Sequence, residues 1–427
     1  MAQQLYFSRD SKMFIEFDGV VWEVPVLDGF SFSQATNSTE ITLNEMESIG
    51  GVSRRGRRAF NDSLAPGEWS FSTYVRPFKS STTGTGKADS AAEVHAVEEV
   101  LWALYAGAKN YDATSFDYDT GGTNVITPGT SSSTINLGSS NSSTLGTANV
   151  YFVLGSDNRK VMKLKDVTVN EASVDFDIDG ISTINWSGSA SEVLDFTGST
   201  HEDNTAPIHS DTTQDGGTIA IGDVWLDAND SYRLYVLTNV TNGSEARTAY
   251  IDEAILATNN FIRNRLTVLS VTPTTRDPDS DGANELEANY SLTLTGGNVT
   301  FTNNISYITP EELGIVNVPI GHVTGTRSVS GSFTCYLTED TSATNASADF
   351  FDDVRAITNV VTSSFATSKF LLTLLRTLFL LRRTSWRCLQ PLQAQMKQQL
   401  FITALSYNTK LLGMKGASAP FYLTKEK

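Results

Sequence analysis

Cysteine is nearly absent from this 427-residue chain: Cys335 and Cys388 stand far apart. Two thiols are too few for a disulfide framework or a zinc site, so folding in a reducing environment is expected. Histidine is scarce too, with His95, His201, His209 and His322 scattered along the sequence. An HExxH pattern, a Walker A loop and a nucleophile elbow are all lacking. Met1-Ala2-Gln3-Gln4-Leu5-Tyr6 has neither the basic nor the apolar segment of a secretory leader. No apolar run reaches the length that spans a bilayer. The expectation is a protein that is not an enzyme, has no cofactor and has no membrane partner. A secreted hydrolase is disfavoured.

Positive charge is also short. Lys and Arg number 31 against 48 Asp and Glu, a net charge of −17. Such a surface repels free nucleic acid, which argues against a DNA-binding module. The imbalance is uneven. Residues 367–427 hold ten of the basic residues and one acid, Glu426, which leaves residues 1–366 at −26 and the tail at +9. A break this sharp separates two kinds of sequence.

Ser, Thr, Asn and Gly dominate the polar fraction, with short Val/Ile/Phe/Tyr-rich runs between them, the pattern of β structure. Phe14 to Phe17, Asp18-Gly19 and Val20 to Val24 predict a hairpin with a type I′ turn. Trp69, Phe71, Thr73 and Val75 alternate on one face of a strand. A helix is predicted next. Ser90 and Glu93 have capping-box spacing, Val94, Val97, Leu101 and Leu104 make its stripe, and Gly107 its stop. Residues 110–148 are Ser/Thr/Gly-rich and read as a long loop, with a hairpin inside it as the alternative. Val174 to Ile178, Asp179-Gly180 and Ile181 to Trp186 predict a second hairpin.

The second half restates this order. Tyr290 to Thr295, Gly296-Gly297 and Val299 to Phe301 predict a hairpin. Ser332-Phe333-Thr334-Cys335-Tyr336-Leu337 echoes Ser70-Phe71-Ser72-Thr73-Tyr74-Val75. A helix from about Ser347 follows, with Phe350, Val354, Ile357 and Val361 as its stripe and Asp349, Asp352 and Asp353 suited to its N-terminal dipole. The expected division is 1–198, a first domain; 199–257, an inserted linker with short strands; 258–366, a second domain; and 367–427, an atypical basic tail. That tail is Leu-rich and helix-favouring where the repeat calls for a hairpin. It reads as an altered reading frame or a replaced terminus, with an amphipathic terminal helix as the alternative. The fold class expected is mainly β with flanking helices (α+β): two sandwich-like or barrel-like domains and an aberrant helical C-terminus.

Three clusters could carry chemistry. Asp277, Asp279 and Asp281, with Gly282, resemble the start of a calcium loop, but the twelfth position is Ala288 where a Glu is needed. A solvated acidic turn is the preferred reading, and calcium the alternative. His201 and His209, with Asp203 and Asp211, are a further set of residue types that bind metal. Arg54, Arg55, Arg57 and Arg58 form the main basic patch of the acidic body and read as an inter-subunit contact.

Val26-Leu27-Asp28-Gly29-Phe30-Ser31-Phe32, Arg54 to Leu64 with Trp69 to Phe78, Ile308-Thr309-Pro310-Glu311-Glu312-Leu313, and Val318 to Leu337 resemble the major tail tube proteins of tailed bacteriophages. The resemblance covers most of residues 1–366, and the tail after Thr367 departs from it. It implies a virion structural protein of the viral tail, assembled in the host cytoplasm. Subunits would stack as rings into a tube that DNA crosses during genome ejection without specific binding. A duplicated chain implies a trimeric ring with pseudo-sixfold symmetry. Tape-measure and tail terminator proteins are the further partners implied. An acidic lumen would keep phosphates from sticking. The alternative is a β-sandwich tail adhesin or distal tail protein that binds a host surface.

Overall fold

In the computed structural model the described residues are 6–41, 58–79, 94–112, 117–127, 134–137, 143–207, 219–241, 244–251, 261–266, 269–272, 286, 289–312, 316–338, 346–357, 369–371, 399–402, 407–408 and 423–424. They are mainly strand, with two α-helices among them, α1 (Glu99–Ala106) and α2 (Ser347–Ile357). The chain forms two compact units that interleave in sequence. The first holds 1–172, 185–260 and 303–325; the second holds 173–184, 261–302 and 326–427.

The first unit opens with the expected hairpin, Ser11–Phe17 against Val20–Glu23. Its turn residues Asp18 and Gly19 have φ of 48° and 76°, the two positive values a type I′ turn requires. Ser11–Phe17 pairs on its other edge with Ala148–Leu154, which pairs in turn with the start of Lys160–Asp177. Phe14, Val21, Tyr151 and Val161 face Val224, Leu226, Leu234 and Val236 across one core. The last four come from Val224–Asp227 and Arg233–Asn239, an antiparallel pair inside the segment read as a linker. Strand Gly67–Tyr74 shows the predicted alternation, with Trp69, Phe71, Thr73 and the following Val75 all buried. The buried Thr73 hydroxyl is satisfied by the Trp186 indole N–H at 2.9 Å.

Two stretches of this unit differ from their sequence reading. Helix α1 begins at Glu99, and Val94–Ala96 is a strand paired with Pro77–Lys79. Val94, Val97, Leu101 and Leu104 are all buried, so their spacing marks the core without specifying helix throughout. Ser90 and Glu93 lie outside the described residues. Gly107 caps α1 as expected, at φ 102°, its N–H reaching the Ala103 and Leu104 carbonyls. The stretch read as a long loop contains a four-stranded sheet, in the order Thr134–Ile135, Asn124–Thr127, Asp117–Asp119, Asn110–Asp112. Its buried Tyr111 and Tyr118 pack on Trp22, with ring centroids 5.0 and 6.2 Å away. Strands this short carry at most two buried residues each, too few to show a period.

In the second unit Leu294–Thr302 pairs antiparallel with Ser328–Tyr336. Gly296 and Gly297 were expected at a hairpin turn and instead lie within that strand, opposite Thr334 and Phe333. The ladder slips between Leu294 and Gly296, and a Cβ on Gly297 would sit 2.4 Å from the Ser332 carbonyl oxygen. Close backbone approach at a bulge, not reversal of the chain, is what these glycines permit. The expected Asp179-Gly180 turn is present, with the Gly180 N–H donating to the Asp177 carbonyl. Val271, Tyr290, Leu292 and Phe333 form the core, covered by Phe350 of α2. Helix α2 starts at Ser347 as predicted, and the Tyr290 hydroxyl donates to Asp353 at 2.6 Å.

Beyond residue 366 the described residues are strands and not the expected helix: Lys369–Leu371, Gln399–Ile402, Tyr407–Asn408 and Leu423–Thr424. The first pairs with Leu269–Thr272, and the second and third with Ser328–Tyr336. An open strand edge offers backbone hydrogen bonds that outweigh the helix preference of Leu-rich sequence.

Candidate assembly surface

Two ribbons of the first unit carry several exposed apolar side chains. The first is an arm, Thr36–Ile41 paired antiparallel with Arg58–Leu64. Side-chain bonds across it include Asn37 Nδ2 to Ser63 Oγ at 2.9 Å, and Thr39 to Asp62. Phe60, opposite Thr39, is exposed. The arm's two strands are joined through residues 42–57, which lie outside the described residues. Arg54, Arg55 and Arg57 fall there, while Arg58 opens the arm's second strand.

The second ribbon is a hairpin, Ile305–Ile308 against Gly321–Thr324. Its two faces differ. Tyr307 and His322, directly opposite, point inward with ring centroids 5.7 Å apart. The Tyr307 hydroxyl donates to the Asp166 carbonyl at 2.6 Å and lies 3.2 Å from both the Ser189 carbonyl and the Thr168 hydroxyl. Burial raises the Tyr307 pKa, so it stays a donor. His322 Nε2 accepts the Leu145 N–H at 2.9 Å, which fixes the neutral tautomer with its proton on Nδ1. Burial, then the nearby Lys109 charge, holds His322 below its ordinary pKa and favours that neutral form. Behind the hairpin, Asn303 Nδ2 reaches the Tyr105 and Val169 carbonyls at 3.0 Å each.

The outward face carries Ile308 and Val323, both exposed, with Ile320 beside them at 71% exposure. The Ile320 N–H donates to the Ile308 carbonyl at 3.0 Å, which places the Ile320 backbone beside Ile308 at one end of the ribbon. The segment leading into Ile320 lies along the base of the arm. Asn317 accepts from the Leu64 N–H at 2.8 Å and donates to the Asp62 carbonyl at 3.2 Å. Val316, next to Asn317, is exposed as well. In the sequence Ile308, Ile320 and Val323 stand out only within the strings that carry the tail tube resemblance, not as contact residues. A signal existed: residues 303–325 contain no Lys, Arg or Asp and only two Glu, Glu311 and Glu312.

The other sequence candidates resolve as follows. Asp277, Asp279 and Asp281 lie outside the described residues, as do His209 and Asp211. His201 Nε2 is 3.2 Å from Asp223 Oδ2, which also accepts the Ala220 N–H at 2.8 Å. Among the described residues no group of three His, Cys, Asp or Glu side chains could share a metal ion. His95, on the strand before α1, sits with Nδ1 3.0 Å from Glu99 Oε2, both side chains buried. The neighbouring Glu98 carboxylate is also buried and lies 3.5 Å from the Arg76 backbone N–H. Burial pushes Glu98 up to about 7, while its own backbone and the Arg76 N–H oppose the rise and the Glu99 charge adds to it. In the second unit an open groove of about 460 Å³ runs past Phe176, Asp177, Gly296, Gly297, Thr334 and Tyr336. Among its lining residues Asp177 supplies the one carboxylate.

No protein-family model matches the chain. A relative is the "Tail tube protein pb6" of Escherichia phage T5, 26% identical over 319 residues, which are 74% of this chain and 53% of the relative. The chain therefore spans about half the length of the curated relative it matches. The tail tube type read from the sequence strings is the type of this relative.

Proposed function

We propose that the chain is a structural subunit of a bacteriophage tail tube, a non-enzymatic component of the virion tail. The observation that carries this reading is the match to a tail tube protein across three quarters of the chain. The mainly β architecture is compatible with it. In this reading, copies associate through heterologous contacts whose rotation closes into rings, and rings stack into a hollow polymer. The twofold order of strand and helix, Gly67–Tyr74 before Glu99–Ala106 and Ser328–Tyr336 before Ser347–Ile357, suggests a duplicated domain, with 1–198 and 258–366 as the repeats and 199–257 as an insertion. A trimeric ring with pseudo-sixfold symmetry follows. The acidic body suits a lumen that genomic DNA crosses without binding. Arg54, Arg55, Arg57 and Arg58 would meet acidic residues of a neighbouring copy. Tape-measure and terminator proteins would be the other tail partners.

Electron microscopy of the purified full chain tests this. Rings or tubes with three copies per ring are the expected result. Six full chains per ring would remove the pseudo-sixfold arrangement while leaving the tube. Stable monomers that bind cells or glycans would replace the tube subunit with a tail adhesin.

A further inference from the structure

We propose that the outward face of the Ile305–Ile308 and Gly321–Thr324 hairpin, together with Val316, is a contact surface for a second copy of this chain. The proposal rests on the tube-subunit reading and names the surface that reading requires.

The hairpin has an inner face fixed by bonded polar groups and an outer face with nothing comparable. Tyr307, His322 and Asn303 hold it down through hydrogen bonds to the Asp166, Ser189, Tyr105 and Val169 carbonyls and the Leu145 N–H. The ribbon is thus rigidly placed while Ile308, Ile320 and Val323 face water. Exposed Ile308 and Val323 on the outward face, with exposed Ile320 and Val316 in the segment leading into it, form an apolar patch of the kind that marks an interaction site.

Charge selects the occupant. The first 366 residues carry a net charge of −26. A basic partner would be drawn to the acidic surface at large and would gain nothing from a neutral patch. A like-charged partner can approach closely only where charge is missing, and depletion of charged residues is the compositional mark of an interface core. Residues 303–325 provide that gap, with Glu311 and Glu312 as their only acids and no Lys or Arg. A second copy, equally acidic, is the partner this surface fits. Glu311 and Glu312 at its margin would take counter-charge from the basic stretch 54–58 of the incoming copy.

The test is Ile320→Asp and Ile308→Asp in the full chain, read by sedimentation and electron microscopy against the wild type. Each places a carboxylate in an apolar contact and should raise the concentration needed for polymerisation about tenfold or more. Near-ultraviolet circular dichroism should stay unchanged, because both positions are exposed. An Ile320→Cys variant gives a second readout. Maleimide labelling of the peptide carrying residue 320 should be fast in free subunits and strongly slowed in the polymer. Aspartate variants that polymerise like the wild type, or equal labelling of subunit and polymer, would overturn the proposal. So would a wild-type chain that polymerises normally but uses this face to bind lipid vesicles. A wild-type chain that never polymerises would instead remove the tube-subunit reading itself and, with it, this contact.

Discussion

Replacing Glu98 with Gln should stabilise the protein at neutral and alkaline pH and leave it nearly unchanged in mild acid. Glu98 is buried at the start of α1, beside Glu99, with the Arg76 backbone N–H as a hydrogen-bond donor. Burial raises its pKa from 4.5 to about 7. Between those values the folded state holds a proton that the unfolded state has released. Stability therefore falls as pH rises through this window and levels off above about 7. A shift of two to three units corresponds to about 3 kcal/mol between the two plateaus. Gln keeps the size and hydrogen-bonding capacity of the protonated acid and cannot ionise. Urea denaturation of dilute wild type and variant at several pH values between acid and alkaline conditions isolates the term, because other titrating groups cancel in the difference. One such group is His322, whose lowered pKa makes stability fall as pH drops, the opposite sign. The expected difference is near zero in mild acid and about 3 kcal/mol in favour of Gln at mildly alkaline pH. A variant destabilised equally at every pH would refute the reasoning. It would show that Glu98 titrates alike in the folded and unfolded states, so that burial does not raise its pKa and Gln merely loses a contact at every pH.

Three further outcomes are expected. Tyr307→Phe removes the hydroxyl that anchors the hairpin and should lower unfolding free energy by about 1–3 kcal/mol in denaturant titration. Gly297→Ala places a methyl 2.4 Å from the Ser332 oxygen and should lower the melting temperature; an unchanged melting curve would mean the strand pairing can open there. Cys335 is buried and its pKa is raised by that burial, so Ellman's reagent should react with it slowly in the native protein and fast in urea.

Legibility in the sequence tracked how local each signal was. Asp18-Gly19 reads as a type I′ turn because positive φ at two successive residues has few solutions. Trp69, Phe71, Thr73 and Val75 read as one buried face because the strand is long enough to show its period. Where elements are short or partners distant, the signal fails. Val94 fits a helical stripe, yet its pairing with Lys79 makes it strand. Gly296-Gly297 has turn composition, yet its role depends on Ser332 and Phe333 more than thirty residues away. The tail after 366 has helical propensity, yet Lys369–Leu371, Gln399–Ile402 and Tyr407–Asn408 take strand on edges from earlier in the chain. The candidate surface was half visible. Four clustered arginines stand out in a sequence by their charge alone. An exposed Ile320 looks like any buried isoleucine until its surroundings are known.

Those two features make opposite demands on salt, which allows them to be ranked. Each copy carries −17, so bringing copies together costs repulsion that ions reduce. Moving from about 0.01 M to 0.1 M salt shortens the screening length from about 30 Å to about 10 Å. If apolar burial at Ile308, Ile320 and Val323 drives association, that change should lower the concentration at which polymer appears. If pairing of Arg54 to Arg58 with acidic residues of the next copy dominates, the same change should raise it, because exposed ion pairs weaken under screening. Light scattering across a salt series separates the two. The charge count favours the first outcome. Four arginines face 47 acids in residues 1–366, and the gain from a few exposed pairs is smaller than the relief of repulsion spread over the whole body. A critical concentration that climbs steadily with salt would reverse that order and place the arm, not the hairpin, at the centre of assembly.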